Sequence, residues 1–246
     1  MITFELLPLL DQMIELYKVP ISEERFKIYL NLLQGGEKDN LNLPIQGFNP
    51  MAKSHVIEKL EELNALDIGS VIQDVASNFK FQNKSQVDLK FKVAFNLADD
   101  LKGGWTNYFT TDFDSKFKIN ALVERKFCTP YFWTSETVNK DLIVQRVKEF
   151  CRRTFYFYEN GKPVTLIDHF NQEKFAAEHA NTLASIINRA EIKLATSFLE
   201  KHYKSDDYNL IFNFFYGDAG AQSLGFMPLN LPDNLGWRFL KSDASK

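Results

Sequence analysis

Cysteine is scarce in this chain of 246 residues, which contains only Cys128 and Cys151. The two residues do not form a Cys-x-x-Cys pair, and no histidine lies at a metal-ligand spacing from either of them, which argues against a zinc site. A chain of this length buries roughly 70–75% of its unfolded surface, so its stability does not depend on disulfides. We therefore predict two free thiols and a cytoplasmic location, where thiols stay reduced.

Long apolar runs and an excess of basic residues are also missing. No stretch of 18 apolar residues occurs, so we predict no membrane-spanning helix and expect no membrane partner. The net charge is −3, whereas a nucleic-acid-binding protein usually carries a basic face, so no nucleic-acid partner is expected. The local basic run Arg146, Lys148, Arg152 and Arg153 is interpreted as a solvated helix face.

Short motifs with a known catalytic mechanism are absent from the sequence. It contains no Gly-x-Ser-x-Gly nucleophile elbow, no His-Glu-x-x-His zinc motif and no Glu-x-x-His pair of the kind that builds dimetal sites. The glycine-containing segment 217–222 lacks the Lys-Ser/Thr ending of a phosphate-binding P-loop. The sequence therefore indicates no particular cofactor and leaves open whether the chain is an enzyme.

Phenylalanine, in contrast, is abundant, with 23 copies, and aromatic residues make up 14% of the chain. Because these residues fall on periodic stripes, we predict an aromatic-rich core rather than a wide stacking surface. Four aromatic residues near the centre of the chain are expected to be exposed and to serve as anchors for a protein partner, since aromatic side chains dominate binding hot spots. They are Trp105, Tyr108, Tyr131 and Trp133.

The order of hydrophobic patterns predicts an α+β fold. The N-terminal third, including residues 1–20, has helical spacing, which is clearest between Ile68 and Phe79. Strict alternation from Val87 to Leu97 predicts a strand with one buried face. Short links then predict further antiparallel strands, at about 105–113, 117–124 and 126–133.

The last third of the chain is predicted to be helical again. Long helices are expected at about 135–160 and 173–203, followed by a final strand at 208–216 and a tail over the surface. Helices before and after a run of strands are typical of α+β proteins rather than of βαβ units. We therefore predict a single domain over 1–246 with a central antiparallel sheet of about three to five strands. The best candidate for an internal boundary lies near residues 80–86.

Polar residues cluster around the turn at 99–104, which joins the first two predicted strands. If the third strand pairs with the second, its C-terminal end returns beside this turn and six residues gather at one edge of the sheet. They are Asp99, Asp100, Lys102, Trp105, Glu124 and Arg125. In this hypothesis Asp99 or Asp100 acts as a base or cation ligand, Arg125 binds an anion and Trp105 is a platform for the ligand. The alternative is a polar turn with an exposed ion pair.

Metal binding is a further hypothesis with two sets of candidate residues. Asp112 and Asp114 would face the same side of a strand and reach one divalent cation, although aspartate is also common at hairpin turns. The other candidates are His169 and His179. His179 lies on the apolar stripe of the last long helix, where a histidine is more often a hydrogen-bonded core residue.

Two functions of different classes remain open. The first is a non-catalytic binding or protein-interaction module, which the absence of catalytic motifs and the many aromatic residues favour. The second is an enzyme or a small-molecule or metal-binding protein with a polar site at one end of the sheet. A deep pocket lined by Asp99, Asp100, Trp105 and Arg125 would favour the second function.

Overall fold

The computed structural model describes residues 1–37, 40–101, 104–178 and 186–242. This part of the chain combines helices with a small mixed sheet, as the α+β prediction requires. The strands are β1 (Ile2–Leu6), β2 (Lys80–Phe81), β3 (Leu89–Val93), β4 (Asn96–Ala98), β5 (Phe127–Cys128) and β6 (Tyr131–Trp133). The helices are α1 (Leu10–Lys18), α2 (Glu23–Gln34), α3 (Ser54–Ala65), α4 (Ile68–Asn78), α5 (Tyr108–Phe117), α6 (Asn120–Glu124), α7 (Lys140–Asn160), α8 (Leu166–Ala177), α9 (Arg189–His202), α10 (Tyr208–Ser223) and α11 (Leu235–Leu240).

The sheet is largely parallel, so the predicted antiparallel sheet is wrong. Its four strands have the order β2–β1–β3–β5, and β3 runs parallel to both β1 and β5. Only β2 is antiparallel to its neighbour, β1. Beyond these strands, β4 and β6 form a second parallel pair. Parallel neighbours need a long crossover connection, and α5 and α6 lie in the connection that leads from β3 and β4 to their parallel partners β5 and β6.

The alternation predicted between Val87 and Leu97 is confirmed in β3. Phe91 and Val93 are buried there, whereas Lys90 and Lys92 are exposed. The alternation ends at Ala94, because every residue from Ala94 to Asp99 is buried. The chain thus enters the interior at β4, and the polar residue Asp99, which follows the carboxyl end of this strand, is buried.

Several other segments differ from the predictions. Residues 1–20 begin with β1, which pairs along its whole length with β3, rather than with a helix. The segments predicted as strands at 105–113 and 117–124 belong mainly to α5 and α6. The side chain of Asn107 accepts a hydrogen bond from the Thr110 backbone N–H and so caps α5. The extended piece predicted at 126–133 is confirmed as β5 and β6.

The predicted final strand at 208–216 lies within α10 instead. Residues 211–217 are all buried, so apolar side chains surround the helix and hide its period of 3.6 residues. The helix predicted at 173–203 corresponds to parts of α8 and α9, and the segment 179–185 of that prediction lies outside the described residues.

Two clusters of buried hydrophobic side chains form the core. The first surrounds the sheet and includes residues of α1, α3, α4 and α7. The second lies among α5, α8, α9, α10 and α11 and is rich in phenylalanine, which confirms the aromatic core. Helix α7 contacts both α4 and α8. The single domain and the boundary near 80–86 remain predictions.

The sequence predicted two free thiols and no membrane-spanning helix. Cys128 and Cys151 are both free and buried, as expected. Burial raises the pKa of the Cys151 thiol well above its usual value, which keeps it protonated and unreactive. None of the helices in the described part of the chain combines the length and the apolar character that crossing a bilayer requires.

Candidate functional site

Asp99 follows β4 and anchors a buried polar network at the carboxyl end of the parallel strands. Its carboxylate accepts hydrogen bonds from Asn49 Nδ2 at 2.7 Å and from Thr134 Oγ1 at 3.1 Å. His55 Nε2 lies 2.9 Å from Oδ1 of the same carboxylate. Asp99 is 1% exposed, whereas the His55 side chain is 33% exposed. The network therefore joins three chain segments to the end of β4 and presents one imidazole towards solvent.

Asp100 lies beside Asp99 and shares one partner with it, because Thr134 Oγ1 lies 3.0 Å from Asp100 Oδ1 and 3.1 Å from Asp99 Oδ1. Its carboxylate accepts hydrogen bonds from the backbone N–H of Ser135 at 3.0 Å and from the Ser135 hydroxyl. These contacts exist because β4 and β6 are parallel, which brings the residues after each strand together. Both carboxylates predicted at this edge are thus present at one end of the sheet, and protein donors already bind them.

Trp105 also lies at this end of the sheet, as the hypothesis requires. Its indole is 45% exposed and packs near the rings of Phe26 and Tyr29 on α2, at centroid distances of 6.3 and 6.4 Å. Lys102 lies outside the described residues. Trp105 therefore packs next to α2, a contact that spacing along the sequence does not show.

Glu124 and Arg125 do not join this group, and the expectation that they do is wrong. Both are exposed and lie just before β5, where the strand begins. The register pairs Lys92 with Phe127, and Arg125 precedes that level at the end of α6. The distance along the strands from Lys92 to Asp99 is roughly 23 Å at about 3.3 Å per residue. The prediction failed because the strands are parallel rather than joined by hairpins.

The metal candidates are also separated by the structure. Asp112 and Asp114 lie on helix α5, where residues two positions apart point in nearly opposite directions, so they do not share one ion. Asp112 forms an ion pair with Lys116, and Asp114 forms one with Lys118 at 2.8 Å. In the described ranges no group of three or more histidine, cysteine, aspartate or glutamate side chains is arranged to hold a metal ion.

The two histidine candidates have different outcomes. His169 is buried, and its Nδ1 donates a hydrogen bond to the Thr165 carbonyl oxygen at 2.8 Å. Burial lowers the pKa of His169, although the Thr165 carbonyl and the nearby Glu173 oppose that effect. This environment is that of a neutral core histidine. His179 lies outside the described residues.

The predicted aromatic anchors divide into two pairs. Trp105 and Tyr108 are 45% and 41% exposed, so they are accessible to a partner. Tyr131 and Trp133 are buried in β6, and their predicted exposure is wrong. Tyr108 packs against Trp133 at a centroid distance of 4.5 Å, which joins the end of the sheet to α5.

A cavity of about 280 Å³ lies among the helices next to this point. Its walls carry charged, aromatic and small apolar side chains from α5, α7, α8, α10 and the α11 region. The lining residues are Tyr108, Asp112, Lys116, Glu149, Arg153, Glu173, Ala176, Ala177, Tyr216, Asn234, Trp237, Leu240 and Lys241. Concave sites with a few convergent polar groups are where proteins usually bind small molecules.

Helical spacing brings the charged residues to the cavity. Tyr108, Asp112 and Lys116 are four residues apart on α5, so they lie on one face of the helix. Glu149 and Arg153 have the same spacing on α7. The sequence contained this signal, but assigning 105–113 to a strand put Asp112 next to Asp114 instead of Lys116.

The charges on the cavity wall are balanced in pairs. Asp112 is paired with Lys116, and Arg153 binds both carboxylate oxygens of Glu173 at 2.6 Å. Lys241 Nζ lies 4.0 Å from Glu149 Oε1. Three acidic and three basic side chains therefore line the cavity, and the wall carries no net charge.

Hydrogen bonds keep Asp112 ionised inside this wall. The Tyr216 hydroxyl donates to Asp112 Oδ2 at 2.6 Å. Burial raises the pKa of Asp112, but the Lys116 ammonium and the Tyr216 hydroxyl outweigh burial and hold that pKa below its ordinary value. The Asp112 carboxylate is therefore charged at neutral pH and fixed in position.

Arg153 has hydrogen-bonding capacity that the fold does not use. It is 1% exposed, and its Nε and Nη2 bind Glu173, while Nη1 has no hydrogen-bond partner in the part of the chain that the structure describes. A buried donor without a partner is uncommon, because it loses its hydration without compensation. The interpretation of Arg153 as part of a solvated helix face is therefore wrong, and its burial makes it a candidate ligand-binding residue.

Comparisons with protein-family models, with curated proteins and with solved structures find no significant match. No relative therefore supplies a substrate, a partner or a catalytic residue for this chain. The chemistry of the described residues is the basis for inferring what the protein does.

Proposed function

We propose that this protein is a non-catalytic binding protein for a small polar molecule, which occupies the cavity among α5, α7, α8, α10 and α11. The observation that carries this proposal is a cavity of about 280 Å³ whose wall contains three pairs of opposite charges and a buried arginine with an unused donor. A site of this size suits a ligand no larger than an amino acid or a monosaccharide.

The balanced wall also restricts the charge of the ligand. Each charged side chain of the cavity already faces a counterion, so a ligand with a net charge would enter without a partner of its own. Placing an uncompensated charge in a buried site is costly. We therefore infer a neutral or zwitterionic ligand that accepts a hydrogen bond from Nη1 of Arg153. Aromatic side chains of the cavity wall, such as Tyr108 and Tyr216, would flank this ligand.

The test is a thermal-shift screen with amino acids and monosaccharides, followed by calorimetry on any hit. A ligand at 100 times its dissociation constant should stabilise the protein by about 2.7 kcal/mol. Glu149→Gln keeps the shape of the cavity wall but leaves Lys241 without its counterion, so the wall gains a net positive charge and a neutral or zwitterionic ligand should bind about tenfold more weakly, a loss of about 1.4 kcal/mol. Glu200→Gln, which changes an exposed residue of α9, is the matched control and should bind normally.

Two results would contradict the proposal. If no ligand raises the melting temperature, a cavity ligand is excluded from the classes tested and the protein-interaction function, with Trp105 and Tyr108 as exposed anchors, takes its place. If a ligand binds equally well to the wild type and to Glu149→Gln but not to Asp99→Asn, the site lies at the end of the sheet.

The second candidate function is an enzyme or small-molecule binder whose site is that end of the sheet. The observation that favours it is the pairing of His55 with the buried Asp99, since ligands of parallel sheets commonly bind at the carboxyl ends of the strands. A carboxylate that orients a partly exposed imidazole can support general acid–base catalysis. In this function Asp99 positions His55, Trp105 contacts the ligand, and Arg125 has no role because it lies at the other end of the sheet.

A further inference from the structure

Arg25 is a buried arginine for which the described residues provide no carboxylate partner. It lies in the first turn of α2 and is 3% exposed. The centre of its guanidinium group lies 3.7 Å from the centroid of the Tyr17 ring, so one face of the group is covered. Its Nε and Nη2 atoms are buried and have no hydrogen-bond partner among the described residues. This side chain is therefore charged and enclosed, and two of its donor atoms have no acceptor among the described residues.

The two unsatisfied atoms form the edge of the guanidinium that recognises oxyanions. Their N–H groups are parallel and match the two oxygens of a carboxylate or a phosphate. Arg153 uses the same edge within this protein, because its Nε and Nη2 bind the two oxygens of Glu173 at 2.6 Å each. Arg25 presents the same donors without an acceptor.

Arg25 lies close to the polar network at the end of the sheet. Tyr17, which stacks on its guanidinium group, donates a hydrogen bond to the Asn49 carbonyl oxygen, and Asn49 Nδ2 in turn binds Asp99. Tyr29 is one helical turn after Arg25 on the same face of α2 and packs near the half-exposed Trp105. The unsatisfied edge therefore belongs to the region where parallel sheets commonly bind ligands.

We propose that the Nε–Nη2 edge of Arg25 binds the oxyanion of a small ligand, either a carboxylate or a phosphate group, while Tyr17 covers the face of the guanidinium. Both donor atoms are buried, so binding requires side chains around Arg25 to move. This site shares no residue with the cavity among the helices, so it goes beyond the function proposed above. The two oxygens of the anion would accept hydrogen bonds from Arg25, as the two oxygens of Glu173 do from Arg153.

The test follows the Nε–H resonance of Arg25 in protein labelled with ¹⁵N-arginine. The resonance is assigned by its loss in Arg25→Lys, and the wild type is titrated with acetate and separately with inorganic phosphate at constant ionic strength. We expect a saturable shift with at least one anion. Arg125→Gln removes an exposed guanidinium and should leave the saturation curve unchanged.

The outcomes separate the sources of the anion and can overturn the proposal. Saturation with acetate alone assigns a carboxylate ligand, saturation with phosphate alone assigns a phosphate, and saturation with both supports the shared chemistry. A parallel melting experiment uses Arg25→Lys, which keeps the positive charge but loses the pair of parallel N–H donors. This variant should need at least ten times more anion than the wild type for the same rise in melting temperature. No saturable shift with either anion, or equal stabilisation of Arg25→Lys and the wild type, overturns the proposal.

A matched variant keeps this result separate from the cavity proposal. Glu149→Gln alters the cavity wall and should leave the Arg25 titration unchanged, because Glu149 lies on α7 and Arg25 on α2. If Glu149→Gln abolishes the shift of the Arg25 resonance, the anion does not bind at Arg25 and the proposal fails.

Discussion

Two buried arginines in this protein have opposite environments. Arg153, in the wall of the helical cavity, forms a bidentate ion pair with the equally buried Glu173. Arg25, near the end of the sheet, has the face of an aromatic ring on one side, and the described residues place no acceptor on its Nε–Nη2 edge. The fold thus neutralises the first guanidinium, whereas the edge of the second is the oxyanion site that we propose.

The largest expected effect comes from breaking the pair that the fold completes. Glu173→Gln leaves the Arg153 charge buried without a counterion, and we expect it to lower the free energy of unfolding by about 3–5 kcal/mol. Urea denaturation monitored by circular dichroism measures this change. Glu178→Gln is the control, because Glu178 is half-exposed and lies 3.7 Å from Arg152, so its loss should cost less than about 1 kcal/mol. Equal effects of the two variants would show that burial does not distinguish these pairs.

A smaller loss is expected from removing one hydroxyl in the cavity wall. Tyr216→Phe deletes the donor that binds Asp112 at 2.6 Å and should cost about 1.5–3 kcal/mol, because the acceptor is a buried carboxylate. Denaturant unfolding measures the loss. Tyr203→Phe, at an exposed position, should change stability by less than about 0.5 kcal/mol. If Tyr216→Phe is as stable as the wild type, the Tyr216 hydroxyl does not hold the Asp112 carboxylate in position.

Replacing Arg25 should change the free energy of unfolding much less than replacing the partner of Arg153 does. Arg25→Gln takes away a buried charge that the fold does not neutralise, so only the contact with Tyr17 is lost. We expect the free energy of unfolding without added anion to change by about 1 kcal/mol or less, measured in chloride buffer. A loss as large as that of Glu173→Gln would mean that Arg25 has a structural partner, and the contrast between the two arginines would disappear.

The smallest expected effect is a pH dependence of the free energy of unfolding that is caused by His169, which packs against the second core cluster. Burial holds the pKa of His169 below its ordinary value of about 6.5, so the folded state disfavours the protonated form. The unfolded chain therefore binds more protons below that value, and the free energy of unfolding should fall as the pH decreases from 7 towards 5. His169→Gln should flatten this part of the stability curve in urea titrations at several pH values. An unchanged slope in His169→Gln would assign the effect to another group.

Local patterns predicted well those elements whose two faces differ. The alternation around Phe91 and the helical stripe from Ile68 were visible because one side of each element is buried and the other is polar. Helix α10 has apolar side chains on all sides, so its sequence resembles a buried strand as much as a helix. The direction of strand pairing was mispredicted because the segments taken as strands at 105–113 and 117–124 form α5 and α6, which makes the link between β4 and β5 long.

The candidate sites were predictable only in part, for the same reason. Asp99 and Asp100 lie at one end of the sheet because they follow β4 directly, and the next residue after Trp105, Thr106, hydrogen-bonds to the Asp99 carbonyl oxygen. Arg125 was assigned to that end by a hairpin that does not exist. The burial of Arg25 and Arg153 depends on contacts between distant segments, which spacing along the chain does not show.

The most direct test compares the two arginines within one experiment. In spectra of ¹⁵N-arginine-labelled protein, titration with acetate and with phosphate should shift the Arg25 Nε–H resonance to saturation with at least one anion. The Arg153 resonance should stay in place, since Glu173 already occupies its Nε–Nη2 edge. A stationary Arg25 resonance with both anions, or equal shifts of the two resonances, would contradict the account.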